Sequence, residues 1–320
     1  MSAKKDGGFT QTRRDFLGTT GTLAAATALG VSSTPASAAK KKGGTLRFAT
    51  RVDGRGLDPH RNIIYYVSNP LAATTYGLVD LNQKMELVPG LAESWEISKD
   101  LKTYTFKLRK GTEYHDGRDV DAESVKWNYE RIMSPTTSHA FTRSSLGDVE
   151  SIKVLDKQTV QMNLKAPNGI FLSNACYYPV NMIAPDSVDQ ADTHPIGCGP
   201  FKFVSWKRYA KTEMVRFENF WETDAEGNQL PYLDAIEGYP KKEDKVRLTA
   251  LRTDEVDLIE NMAYSDVPDF KKTQAGNYNT WDIPQVGTAY MYIQLKKGPF
   301  ALSAGKDGKM MRQALAHAID

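Results

Sequence analysis

Residues able to do chemistry are few in this chain of 320 residues, and they mostly stand apart. The five histidines (His60, His115, His139, His194, His317) lack the close spacing of a zinc site. Neither Gly-x-Ser-x-Gly nor His-Glu-x-x-His occurs, so the signatures of a serine hydrolase elbow and a zinc protease helix are missing. Asp53-Gly54-Arg55-Gly56 has no strand–helix frame around it and is not a dinucleotide loop. Glu255 and Asp257 fall on an expected strand and need no catalytic role. No catalytic group, metal site or cofactor is expected. One stretch is different. In Pro195–Phe203, Gly197 and Gly199 flank Cys198, and Pro200 and an apolar run follow. Glycine permits close backbone approach and proline fixes φ, so the path here is tightly specified. The stretch reads either as a plain connector or as a loop whose bare N–H groups a ligand could reach. Cys176 and Cys198 are the two cysteines. In an oxidising compartment they could form a disulfide if their Cα atoms come within about 7 Å. In a reducing one they stay free, and either could also pair with a cysteine beyond this chain.

The elements that would position these residues follow from composition and pattern. The chain is 40% hydrophobic and 25% charged, an ordinary globular composition, with no apolar run of about 18 residues to span a membrane. Lys plus Arg is 41 and Asp plus Glu is 39, a balance that argues against nucleic acid as partner. Near the start, Arg13-Arg14-Asp15-Phe16-Leu17 resembles a twin-arginine export signal. A mild apolar run to Val31 and a small-residue pattern ending at Ala38 complete a cleavable leader, residues 1–38. The mature protein is therefore expected in the periplasm. Lys40–Gly44 reads as a solvated arm.

Strands are expected at 44–49, 78–80, 102–109, 201–204 and 212–217, with another after Pro231. Tyr104, Phe106 and Leu108 alternate toward one face. Two runs around Asp156-Lys157 read as a hairpin, and Glu255–Ile259 as a buried strand. Helices are expected over 63–78, from Asp121 as N-cap to Ser134-Pro135, over 241–252 with its charges solvated, and over 310–319. Trp127 and Trp221 are assigned to the core. The last helix stops without a cap, so the protein is expected to continue past Asp320.

Eight stretches, in order, resemble the solute-binding proteins of ABC importers of the oligopeptide, dipeptide and nickel class. They are Gly43–Leu46, Leu57–His60, Leu91–Trp95, Tyr104–Arg109, His115–Gly117, Gly197–Phe201, Val256–Leu258 and Arg312–Asp320. Two departures are Cys198, where the family usually has a small hydroxyl residue, and Asp254, where it often has glycine.

The resemblance implies an α/β, two-lobed periplasmic-binding-protein type II-like fold, with lobe I carrying an inserted β-rich subdomain and most of lobe II lying outside this chain. The lobe I core is expected at 39–75 and 195–289, the insertion at 76–194, and the start of lobe II at 290–320. It further implies capture of a peptide or similar small solute, without chemistry, for a membrane ABC permease. The protein would be monomeric, with the twin-arginine translocase as its partner during export. A metal-chelate or sugar receptor on the same fold is the alternative, and a secreted hydrolase a more distant one. Residues expected near the lobe junction, and hence at the ligand, are Tyr65, Phe141, Tyr178, Cys198 and Gly199.

Overall fold

The structure, a computed structural model, describes residues 42–63, 68–82, 84–274, 276–281 and 293–317. The leader, including Arg13, Arg14, Phe16 and Leu17, lies outside them, as does Tyr65. The chain divides into two compact units, Met1–Asp266 and Val267–Asp320.

The first unit is built on two main sheets. In chain order its elements are β1 (Thr45–Thr50), α1 (Ser68–Thr74), β2 (Val79–Leu81), β3 (Leu87–Pro89), β4 (Ala92–Ile97), β5 (Thr103–Leu108), α2 (Ala122–Met133), α3 (Ala140–Leu146), β6 (Val149–Asp156), β7 (Thr159–Leu164), α4 (Phe171–Ala175), β8 (Phe201–Lys207), β9 (Lys211–Arg216), β10 (Ala235–Pro240), α5 (Asp244–Arg252) and β11 (Leu258–Ile259). One sheet has the order β11-β1-β10-β9-β8, and the other, antiparallel throughout, β4-β5-β7-β6. β2 and β3 form a separate ribbon.

The antiparallel sheet follows its sequence pattern closely. Tyr104, Phe106 and Leu108 of β5 and Val160, Met162 and Leu164 of β7 are all buried. They meet Val125, Tyr129 and Ile132 of α2 in one core. Fully burying a side chain such as Phe106 contributes about 1.5–3 kcal/mol. Asp121 caps α2: its carboxylate accepts from the Ser124 N–H at 2.9 Å, and the Ser124 hydroxyl closes a reciprocal box with the Asp121 N–H. Asp121→Ala is expected to cost about 1 kcal/mol, seen as a lower urea midpoint with unchanged slope.

Four expectations change. The helix expected over 63–78 is only Ser68–Thr74 among described residues, and Tyr76 instead makes an isolated bridge to Met182. The strand over Glu255–Ile259 shrinks to Leu258–Ile259, both half-buried. There Asp257 turns its carboxylate to β1, accepting from the Arg47 backbone N–H at 2.8 Å and from its guanidinium at 2.7 Å. Just before it, Asp254 has φ of 55°, the left-handed region that favours the glycine often found there in the family it resembles. Thirdly, the charges of α5 are not all solvated. Arg247 is fully buried, donating to the carbonyls of Lys241, Lys242 and Glu260 at 2.8, 2.8 and 3.0 Å and pairing with Asp244. Trp127 and Trp221 are half-buried rather than core.

In the second unit, α6 (Val267–Thr273) buries Phe270 against Tyr278, and α7 (Gly305–His317) begins five residues before the expected Met310. Arg312 donates to the Phe300 carbonyl at 2.7 Å.

Candidate functional site

The Pro195–Phe203 stretch is packed tightly against other backbone. The Gly199 N–H donates to the Thr74 carbonyl at 3.0 Å, satisfying one of the open carbonyls at the end of α1. The Gly197 carbonyl accepts from the His115 N–H at 2.8 Å, and the Gly199 carbonyl from the His115 ring at 2.9 Å. A Cβ on Gly199 would lie 2.7 Å from the Ala73 carbonyl oxygen; one on Gly197 would meet that of Thr74. Both glycines are therefore spent on chain-to-chain contact. The bare N–H reading fails at Gly199, whose donor is taken.

Cys198 is 1% exposed, with its side chain in the core of the antiparallel sheet, and burial pushes its thiol up to about 12. It offers no surface to a ligand. Cys176 is a second free thiol, half-buried, donating to the Ser173 carbonyl at 2.8 Å; the disulfide is not formed. Tyr178 also turns inward, 7% exposed in a small cluster with Leu57, Leu71 and Phe203. Phe141, in the first turn of α3, is 52% exposed. So of the expected ligand residues, Cys198 and Tyr178 are core, Gly199 is a packing contact and Phe141 is on the surface.

A different constellation emerges from strand order. β10, β1 and β11 run parallel, and β10-α5-β11 crosses over so that β1 lies between. In open α/β sheets, ligands bind outside the carboxyl ends of such strands. The loops at these ends are cross-tied. The Lys241 N–H donates to Thr50 at 2.8 Å and the Glu260 N–H to Ala49 at 3.0 Å, while Arg247 grips the loop carbonyls from beneath. This leaves Arg51, Lys242 and Asn261 exposed, and Tyr264 exposed to 95%.

Glu260 is half-buried, and its Oε2 has no hydrogen-bond partner. Burial raises its pKa, against the pull of the Arg51 N–H and of the Arg247 and Arg51 charges. Charges of both signs at these strand ends, Arg51 and Lys242 against Glu260, suit a polar solute held by hydrogen bonds. Sequence reasoning missed Arg51, Glu260 and Tyr264. The signal for them was the carboxyl end of each strand, readable only once strand order is known. Among the described residues, no group of three or more His, Cys, Asp or Glu is placed to hold a metal ion.

This combination, an α/β sheet with an antiparallel β-rich excursion, is the periplasmic-binding-protein type II fold. Solved structures agree. DppA from Helicobacter pylori, in complex with the peptide STSA, superposes with TM-score 0.66 at 27% identity over 72% of this chain and 49% of that one. AgaA from A. tumefaciens, in complex with agropinic acid, gives TM-score 0.67 at 28% identity over 72% and 46%.

The chain belongs to the bacterial extracellular solute-binding proteins, family 5, whose middle-region model matches residues 86–320. The glutathione-binding protein GsiB of Escherichia coli is 28% identical over 259 residues, 79% of this chain and 48% of that protein. The chain thus spans about half the length of the curated relatives it matches.

Proposed function

We propose that the protein captures a peptide, or a small solute of similar polarity, outside the cytoplasm and delivers it to a membrane ABC permease. The observation that carries this reading is family membership over residues 86–320. The relatives add chemistry: one is named for glutathione binding, and a solved neighbour holds a four-residue peptide. Agropinic acid in another neighbour favours a second reading, a non-peptide organic acid on the same scaffold.

In either reading the protein does no bond chemistry. Contacts made only in a closed form shift the population toward it, and the permease reads that form. We assign the solute's lobe I contacts to the rim formed by Arg51, Glu260 and Tyr264. The Arg13-Arg14 leader directs twin-arginine export, cleavage falls after Ala38, and the mature protein works as a periplasmic monomer.

Calorimetric titration of the full-length mature protein with glutathione, di- to pentapeptides, an opine and a nickel–histidine chelate tests this. Saturable one-to-one binding to one class, with the solute recovered intact, is the expected result. Release of hydrolysed product would replace the reading with a hydrolase.

A further inference from the structure

Within the first unit, four segments are linked through His60, its ring touching two of them. His60 is fully buried. Its Nδ1 lies 2.6 Å from Nη1 of Arg131 on α2, and its Nε2 lies 3.0 Å from the Asn181 carbonyl. A guanidinium has only donors and a carbonyl only accepts. Nδ1 must therefore be bare and Nε2 must carry the proton, so the network requires neutral His60.

The same Arg131 holds Asp58 through both oxygens, with Nη1 to Oδ1 at 3.1 Å and Nη2 bonded to Oδ2. The His60 carbonyl accepts from the His139 N–H at 2.9 Å, where α3 begins. Asn181, in turn, donates from its side chain to Thr75 just past α1. His60 thus ties the loop after β1 to α2, to the start of α3 and to the end of α1.

We propose that this network is an acid-sensitive brace: protonating His60 forces Nδ1–H against the Arg131 donors and frees residues 57–62 and the start of α3 while both sheets remain folded. Asp58 favours the added charge and Arg131 opposes it, and these are the charged groups whose fields act on the ring. Burial outweighs both, lowering His60 to about 4. An unfolded histidine titrates at about 6.5. The neutral ring's contribution is therefore complete above that pH and is drawn down as pH falls toward the folded value. The loop that is released leads directly from the carboxyl end of β1. Acid would thus loosen the ground on which the proposed solute rim stands, although the brace itself does not depend on that rim being the site.

The test is imidazole-resolved NMR of the mature full-length protein, with amide exchange at pH 7 and pH 4 corrected for intrinsic rates. Expected are titration of His60 well below the pH of an unfolded histidine, and at least a tenfold loss of protection at residues 57–62 and 138–142, with β5 and β7 retaining theirs. His115 shares the low range, at about 4, so its own resonance is followed separately. His60→Gln keeps a donor for Asn181 and cannot titrate; its protection pattern should not respond to pH. Uniform loss of protection across the unit, a His60 that titrates at an ordinary pH, or an unchanged acid response in His60→Gln would each overturn the brace. If His60→Gln fails to fold, the wild-type resonance and exchange pattern decide alone.

Discussion

Gly197→Ala is expected to be among the most damaging single substitutions in the first unit, costing at least about 3 kcal/mol. The added methyl has no direction in which to yield. It meets the Thr74 carbonyl oxygen, with the carbonyl carbon at 2.8 Å and the Thr75 methyl at 3.0 Å. Neither backbone can retreat cheaply. The Gly197 carbonyl is held by the His115 N–H, and Thr74 by the Gly199 N–H. A shift would break both bonds and leave buried polar groups unpaired, the costly case. Cys198→Ala, one residue on, only deletes a sulfur from the core and should cost on the order of 1 kcal/mol. Urea unfolding of the two variants checks the contrast. Equal midpoints would mean that the loop is looser than its contacts imply.

Arg131→Met is the second large effect. Arg131 and Asp58 have side chains only 7% and 2% exposed. Removing the guanidinium strands a buried carboxylate, and breaking such a pair costs roughly 3–5 kcal/mol. The loss also strips His60 of the donor to its Nδ1. Replacing both partners, Asp58→Leu with Arg131→Met, removes the stranded charge and is expected to recover part of the loss. A double-mutant cycle in urea measures the coupling; a double variant no better than the single would show that packing, not charge, dominates there.

These cases also show which features could be read from the amino-acid order. β5 and β7 were legible because a sheet with one buried face imposes alternation with period two on the chain, and Tyr104, Phe106 and Leu108 obey it. Asp121 was legible because a capping residue acts on neighbours three positions away. Arg247 and Arg131 were not. A charged side chain on a helix reads as solvated, and the groups that justify its burial are remote in sequence: Asp58 is 73 positions from Arg131.

The Gly197–Gly199 stretch stood out in the sequence with two readings, connector or ligand loop, and its contacts with Thr74 and His115 match the first. Glycine serves close approach of protein backbone as readily as that of a ligand, and only Thr74 and His115, far along the chain, reveal which. Cys198 turned inward for a related reason. A small sulfur side chain between two packed glycines fills core space beside Met182. The rim at Arg51, Glu260 and Tyr264 depends on β11 lying beside β1, and two half-buried residues give almost no periodic signal.

Solute capture without turnover is the central claim, and native mass spectrometry of the full-length protein isolated from its own extracytoplasmic fraction tests it most directly. The expected result is a population heavier than the polypeptide by one small molecule, which leaves intact on collisional activation. A bare polypeptide mass, both as isolated and after incubation with peptides, opines and chelates, would contradict it.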